Sequence, residues 1–176
     1  MRVAVLEIPI LEIRAAEPRS PEAEALIRAL SEELAQRYDY VDDGSGNFRP
    51  EDVLIERAGF LIGWAGAKAV ACGAFRPIES EVAEIKRMFV LPEHRGRGYA
   101  KAILAELEHR AFDSGYTSVR LGTGDRQPEA IALYERAGYH RIPNFGMYDD
   151  RTCLCFEKQL FFERRDSRQF DSRQKL

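Results

Sequence analysis

The residues from Arg95 to Lys101 combine two arginines with two glycines, and these residue types suit the binding of an anion. They lie between a strand-like run at 84–90 and a helix-like run at 102–108. The first amides of a helix have no acceptor inside it, and the helix dipole adds partial positive charge there. Glycine allows a close backbone approach, and guanidinium groups pair well with phosphate oxygens. The stretch therefore predicts a cradle for the diphosphate of a nucleotide-like cofactor.

The same stretch has alternative interpretations, and the spacing of its residues decides among the known phosphate-binding motifs. Gly96 and Gly98 could instead shape a plain strand-to-helix turn beside solvated arginines. The phosphate loop of the NTPases requires G-x-x-x-x-G-K-[ST], which is not found in the sequence. The dinucleotide fingerprint G-x-G-x-x-G would need glycine where Lys101 stands. The remaining pattern is [Q/R]-x-x-G-x-[G/A], which Arg95, Gly98 and Ala100 satisfy.

Length and composition bound the class of protein. A chain of 176 residues predicts one domain with a substantial core. The net charge of −3 argues against general binding to nucleic acid or to anionic membranes. No apolar run approaches the roughly 20 residues that a membrane-spanning helix needs. Three cysteines, an odd number, do not make a disulfide framework and favour a cytoplasmic location.

Hydrophobic periodicity predicts the elements that must position the cradle. In chain order they are a strand at 3–14, a helix at 21–38, a loop at 37–50 that leads into a short helix, strands at 59–64, 69–75 and 82–91, a helix at 98–113, a strand at 117–122, a helix at 128–138, and a strand pair at 139–142 and 152–157. This order predicts an α/β (α+β) protein with one mixed sheet and helices on both faces. We expect residues 1–162 to form a single domain and 163–176 to be a polar tail.

The strand at 82–91 alternates imperfectly, since neither set of alternate positions is cleanly apolar. A β-bulge partway along would re-aim its side chains, and bulges often lie next to active sites. The strand, the cradle, the helix and the next strand form a β-α-β crossover. Such a crossover predicts a local pair of parallel strands.

Two segments resemble the motifs of one family. The run at 84–94, followed by Arg95, Gly98 and Ala100, resembles the strand, bulge and acyl-CoA loop of the GNAT superfamily of N-acyltransferases. The run at 127–139 resembles the second motif of the family, N-x-x-A-x-x-L-Y-E-x-x-G-[FY]. The resemblance covers roughly residues 50–160. It implies the GNAT fold, acetyl-CoA as cosubstrate, and direct transfer of the acetyl group to a small amine acceptor.

The resemblance also implies which residues hold the cofactor. Gln127 stands where the family often has an asparagine that contacts the pantetheine arm. The pantetheine would pair with the backbone of one strand as an added strand, and the pyrophosphate would bind the amides of the cradle. The implied cofactor-binding residues are Met88, Phe89, Val90, Arg95, Gly96, Arg97, Gly98, Tyr99, Ala100, Lys101 and Gln127.

Two residues are implied to be catalytic. Tyr134 would protonate the departing thiolate of CoA, since a phenol and a thiol have similar ordinary pKa values, about 10 and 8.5. Its position on the apolar side of a predicted helix is equally typical of a core residue. Glu84 would be the general base for the acceptor amine, directly or through water. The alternative for Glu84 is a surface ion pair with Lys86 or Arg87.

Other features complete the expectations. Three cysteines and three scattered histidines provide no metal-ligand set, so we predict no metal. Short loops at 38–43 and 145–150 are expected to line the acceptor site. The alternatives are a non-catalytic acyl-CoA sensor on the same fold and a protein that binds ATP or NAD. A homodimer is also open, with its edge at the strand 156–158 and the apolar residues 160–162.

Overall fold

The computed structural model describes residues 10–38, 48–148 and 152–161. The strands and helices, in chain order, are β1 (Leu11–Ala15), α1 (Pro21–Tyr38), β2 (Gly59–Ala65), β3 (Lys68–Pro77), β4 (Val82–Val90), α2 (Tyr99–Asp113), β5 (Ser118–Gly124), α3 (Pro128–Arg136), β6 (His140–Ile142) and β7 (Cys153–Gln159). Short 3₁₀ turns lie at Pro50–Val53 and Pro92–His94. The predicted elements are therefore present in the predicted order.

Parts of two predicted segments fall outside the described residues. The first strand was expected at 3–14, of which 1–9 lie outside, and the strand that the structure describes is Leu11–Ala15. The loop expected at 37–50 includes residues 39–47, which also lie outside. Residues 162–176, most of them in the expected tail, are likewise not described. No helix within the described residues has the length and apolar character needed to cross a membrane.

The strands form one mixed sheet in the order β1-β2-β3-β4-β5-β7-β6. Only β4 and β5 pair in parallel, as the β-α-β crossover predicts, and the other neighbours are antiparallel. The last strand pair is as expected, but β7 lies between β5 and β6 and hydrogen-bonds on both sides. Within the suggested dimer edge, Phe156 and Glu157 are therefore paired on both sides, whereas Lys158 pairs with β5 alone. Leu160 is buried in the core, whereas Phe161 is exposed.

Helices cover both faces of the sheet. On one face, α1 buries Ala23, Leu26 and Leu30 against β2, β3 and β4. On the other face, α2 and α3 pack over the central strands, and Ile103, Leu104 and Leu107 lie at the centre of that core. Removing this apolar surface from water is worth roughly 25 cal/mol per Å² and is the main force that holds the layers together.

A β-bulge interrupts β4, as its irregular alternation predicts. Cys72 of β3 pairs with Phe89, but Ala74 pairs with Lys86, so β4 has one residue more than β3 across this interval. Arg87 takes φ +54, a left-handed conformation that non-glycine residues rarely adopt. The bulge reverses the side-chain alternation, because Ile85 packs on the α2 face while Phe89, four residues later, packs on the α1 face.

The parallel pair β4–β5 separates soon after it forms. Its register runs only from Val82 opposite Ser118 to Glu84 opposite Arg120. Beyond that point β4 continues with β3 as far as Val90, and β5 continues with β7 to its end. The two central strands therefore diverge, and their facing backbone edges no longer bond to each other. This divergence makes room for the candidate site.

Candidate active site

A cavity of about 380 Å³ lies where β4 and β5 diverge. Its walls come from the second half of α1, the bulged part of β4, the end of β5, α3 and residues 147–153 on either side of the undescribed segment 149–151. Among the predicted site residues, Met88, Gln127 and Tyr134 line it. Glu84, Phe89, Val90 and the cradle 95–101 do not. The cavity therefore brings together three of the predicted site residues and leaves the others outside its lining.

Tyr134 reaches the cavity from the middle of α3. Its ring is 6% exposed and packs edge-on against Tyr139, with ring centroids 5.7 Å apart, and against Phe156 at 6.2 Å. None of the described residues hydrogen-bonds to its hydroxyl. Burial raises the pKa of Tyr134 well above its ordinary value, so the hydroxyl keeps its proton at neutral pH. Tyr134 belongs to the core, as one interpretation of its position predicts, and it also lines the cavity.

The cradle at the start of α2 has the expected backbone shape. Gly96 and Gly98 take φ +73 and +80, in the left-handed region that favours glycine. A Cβ at either position would meet no atom within 4 Å, so these glycines are required for conformation and leave open space above them. No side chain caps the N-terminus of α2. Its first amides therefore face this open space and can bind an anion.

The two arginine side chains of the cradle differ in their contacts. Arg95 Nε donates to the Val90 carbonyl oxygen at 3.0 Å, and its guanidinium pairs with Glu33 of α1 at 2.5 Å. Arg97 is exposed, and among the described residues its guanidinium donates to the Glu93 carbonyl oxygen alone, at 3.3 Å. Arg95 thus links the cradle to α1, and Arg97 is the arginine with the greater freedom to meet a phosphate.

Glu84 is 2% exposed and lies in a network of charged and polar groups behind the cavity wall. Its Oε2 accepts a hydrogen bond from Arg76 Nε at 2.8 Å, and Arg76 also pairs with Asp52 at 2.5 Å. Its Oε1 accepts from the Tyr148 hydroxyl at 2.6 Å and lies 3.5 Å from Lys86 Nζ. The predicted pairing with Lys86 is therefore present, but both oxygens are engaged and the carboxylate does not open directly to the cavity.

Lys86 and Tyr148 stand between Glu84 and the cavity. Lys86 Nζ donates to Tyr148 Oη at 2.6 Å, and both side chains line the cavity. Burial lowers the pKa of Lys86, although Glu84 opposes this effect. Burial, and then the Glu84 carboxylate, raise the pKa of Tyr148 above its ordinary value. The three groups form one hydrogen-bonded chain from the cavity to the buried carboxylate.

Sequence reasoning placed the loop 145–150 at the acceptor site, but it did not single out Tyr148 or Arg76 and named Lys86 only as an alternative ion-pair partner of Glu84. One signal was present in β5, because glycine inside a strand often marks the close approach of another group. A Cβ on Gly122 would lie 2.7 Å from the ring of Tyr148. Which side chain comes so near depends on tertiary packing between distant segments, and local sequence patterns do not contain that information.

The end of α1 is attached to the loop before α3. Tyr38 Oη accepts a hydrogen bond from the Arg126 amide at 2.9 Å, and Arg37 donates to the Arg126 carbonyl oxygen at 3.1 Å. Gly124 is required beneath this contact, since a Cβ there would lie 1.8 Å from Tyr38 Oη. Of the expected acceptor loop 38–43, Tyr38 is described and lines the cavity. Within the described residues, no three His, Cys, Asp or Glu side chains meet as a metal site.

Comparison with known proteins agrees with this geometry. The acetyltransferase (GNAT) family matches residues 21–139. An IAA acetyltransferase of Azospirillum brasilense is 36% identical over 103 residues, which are 57% of this chain and 67% of that protein. YjgM of Escherichia coli K12, an uncharacterized N-acetyltransferase, is 34% identical over 89 residues, which are 51% of this chain and 50% of that protein. The chain thus spans only about half the length of the second relative.

Solved structures share the fold. A Klebsiella pneumoniae crystal structure assigned to the acyl-CoA N-acyltransferases superposes with a TM-score of 0.72 at 32% identity, over 86% of this chain and 99% of that one. The structure of yncA from Salmonella typhimurium with acetyl-CoA has a TM-score of 0.66 at 17% identity, over 88% and 96% of the two chains. The second likeness concerns the fold alone.

The family match covers more than half of the chain, and the fold superposes on a structure assigned to the acyl-CoA N-acyltransferases at 32% identity. The chain therefore belongs to the GNAT family of acetyltransferases, the N-acetyltransferases whose cosubstrate is acetyl-CoA.

Proposed function

We propose that this chain transfers the acetyl group of acetyl-CoA directly to a primary amine of a small molecule or peptide. The observation that carries the proposal is the cavity between β4 and β5, which Tyr134 lines from α3. A cavity of about 380 Å³ is in the range of small-molecule sites. It has room for a thioester and an amine together, as direct transfer through a ternary complex requires.

The cofactor would lie along the diverging strands. The edge of β4 beyond Glu84 no longer pairs with β5, so the backbone of Met88, Phe89 and Val90 can accept the pantetheine arm as an added strand. Gln127 lines the cavity next to this path. The pyrophosphate would bind the amides of 95–101, where the glycines leave open space and the helix dipole favours negative charge.

The chemistry would use two groups. Tyr134 would give its proton to the CoA sulfur as the thioester bond breaks, since burial keeps its hydroxyl protonated. Glu84 would receive the proton that the acceptor amine loses. Its position behind the cavity wall means that it acts through an intermediate group and not by direct contact. None of the described cysteines, Cys72, Cys153 and Cys155, forms a disulfide, which suits the reducing cytoplasm that we propose as the location of the chain.

A thermal-shift experiment tests the cofactor site. Acetyl-CoA, CoA, ATP and NADH are added in parallel to the purified protein. Ligand at a hundred times Kd adds about 2.7 kcal/mol of stability, which raises Tm by about 5–10 °C for a chain of this size. We expect the shift with acetyl-CoA and CoA only. A shift with ATP or NADH and none with either CoA ligand would contradict the proposed cradle.

A thiol-release assay then tests transfer. Acetyl-CoA is supplied with a panel of primary amines and short peptides, and free CoA is followed together with the mass of the acetylated product. The proposal expects at least one acceptor to give equal amounts of both. Tight binding of acetyl-CoA without transfer to any amine or peptide in the panel would favour the sensor alternative.

A further inference from the structure

We propose that Tyr148 is a catalytic proton relay that carries the proton of the acceptor amine from the cavity to Glu84, and that Lys86 positions its hydroxyl. The inference rests on the proposed amine acetylation and adds a residue to it. It follows from the order of the groups along one hydrogen-bonded chain. Lys86 and Tyr148 line the cavity, and Glu84 lies behind them.

Both carboxylate oxygens of Glu84 already accept hydrogen bonds from neighbouring side chains, and Glu84 does not line the cavity. Arg76 occupies Oε2, with its Nε and Nη2 atoms both within 2.8 Å. Tyr148 Oη occupies Oε1 at 2.6 Å. The Glu84 side chain is only 3% exposed. A proton that leaves the cavity for Glu84 along this chain therefore passes through the Tyr148 hydroxyl.

The step conserves atoms and charge. An N–H bond of the acceptor ammonium breaks, and its proton joins Tyr148 Oη. At the same time the original Tyr148 proton moves to Glu84 Oε1, with which it already shares a short hydrogen bond. The products are a neutral amine with a free electron pair, an intact tyrosine and a neutral Glu84 carboxyl. No other reactant is consumed, and the amine can then attack the thioester carbonyl.

The groups around the Tyr148 hydroxyl keep it protonated and hydrogen-bonded to Glu84. Glu84 and Lys86 face its hydroxyl from β4, Arg76 faces it from β3, and Cys153 lies near it at the start of β7. Arg76 in turn forms an ion pair with Asp52. The raised pKa of Tyr148 keeps the hydroxyl protonated, so it is a donor to Glu84 before each turnover.

The ring of Tyr148 is held independently of its hydroxyl. It lies over Gly122 and meets Phe145 edge-on, with centroids 5.2 Å apart. Tyr148→Phe therefore keeps the packing and removes only the relay atom. Tyr116→Phe is the matched control, because it removes a buried hydroxyl that donates to the Arg57 carbonyl oxygen at 2.8 Å on a different part of the protein.

The test compares the wild type with both variants on an alkyl amine whose own pKa is about 10. General-base assistance is typically worth 10²–10⁴-fold, so we expect Tyr148→Phe to lower kcat at pH 7.5 by about 100-fold. Between pH 7.5 and 9 its rate should rise about tenfold per pH unit, because it can use only amine already neutral in solution. The wild type and Tyr116→Phe should change much less across this interval, and all three should bind acetyl-CoA equally.

A double mutant tests whether Glu84 and Tyr148 act in the same step. Groups that act as one unit are strongly non-additive, so Glu84→Gln with Tyr148→Phe should lose no more kcat than either change alone. If Glu84→Gln does not fold, the pH profile of Tyr148→Phe decides by itself. Unchanged kcat in Tyr148→Phe, or a loss with the wild-type pH profile, would overturn the relay alone. A wild type inactive on every amine and peptide would overturn the proposed function, and the relay with it.

Discussion

Tyr134 and Tyr148 show how a single residue type takes two roles within one cavity. Tyr134 has no hydrogen-bond partner among the described residues, whereas Tyr148 is held between Lys86 and Glu84. Burial raises the pKa of both. A phenol without a partner can give its proton to a leaving group, whereas a phenol in a chain can pass a proton on. Their surroundings therefore separate a proposed acid from a proposed relay.

At this scale we predict that Tyr134→Phe lowers kcat by about 100-fold and leaves acetyl-CoA binding unchanged. The reason is that loss of a general acid slows departure of the CoA thiolate, while the phenylalanine ring keeps the contacts with Tyr139 and Phe156. The measurement is steady-state kinetics beside the thermal shift with CoA. A thioester with a more acidic leaving thiol should recover much of the lost rate. Full activity in Tyr134→Phe would show that another group protonates the thiolate.

The sequence could predict the residues that belong to contiguous motifs. Gly96, Gly98 and Tyr134 lie where the two motifs place them, and their backbone angles and burial agree. The sequence could not predict that Arg76 and Tyr148 are the partners of Glu84. They lie 8 and 64 residues from it along the chain and contact it only after the sheet has formed. An expected ion pair with Lys86 was present, but as one part of a buried network.

The positions of helices and strands along the chain were easier to predict than which strands pair with each other. The bounds of α1 follow from periodicity, which is a local property, whereas the imperfect alternation of β4 suggested a bulge without establishing it. The insertion of β7 between β5 and β6 depends on long-range pairing, so the sequence did not predict that Phe156 and Glu157 are paired on both sides. The divergence of β4 from β5 has the same origin, since each strand keeps its outer antiparallel partner and loses the inner parallel one.

The start of α2 supports a prediction that separates conformation from ligand binding. Gly98→Ala places a Cβ in the left-handed region and should cost about 1 kcal/mol of unfolding free energy. It should also weaken CoA binding by tenfold or more, since the Cβ and the altered turn occupy the path of the pyrophosphate. Gly138→Ala is the matched control, with φ +88 and no atom within 4 Å of the new Cβ, but at the end of α3. Equal CoA affinities in the two variants would contradict the cradle.

At the scale of the whole molecule, the site is built from the middle of the sheet and borders the core. Tyr134 and Tyr139 belong to the core on the α2 face, and Tyr148 covers the end of β5. Burial raises the pKa of each of these three tyrosines, and the Glu108 carboxylate adds to this effect at Tyr139. A single physical property, the exclusion of water, therefore keeps Tyr134 and Tyr148 protonated for the proposed chemistry and, together with Tyr139, makes the fold sensitive to alkali.

We predict that stability falls steeply above pH 10. A tyrosine with a raised pKa in the folded protein stays protonated there, but it ionises in the unfolded chain near its ordinary value of 10.0, so alkali favours unfolding. The contribution of these tyrosines to the free energy of unfolding is therefore fully present below pH 10 and is lost as the pH rises further. Three such tyrosines remove about 3 kcal/mol between pH 10 and 11, about 1 kcal/mol each. Lys86, whose pKa is lowered, works in the opposite direction up to its ordinary value of 10.5 and offsets part of this loss.

Urea unfolding at half-unit intervals from pH 9 to 11 measures the effect. Tyr139→Phe is the informative variant, because phenylalanine does not ionise and Tyr139 does not line the cavity. Its stability should fall by about 1 kcal/mol less than that of the wild type between pH 10 and 11, with acetyl transfer unchanged. Parallel curves for the two proteins would mean that the Tyr139 hydroxyl titrates normally in the folded state. Burial of all three phenols would then not explain a loss of stability in alkali.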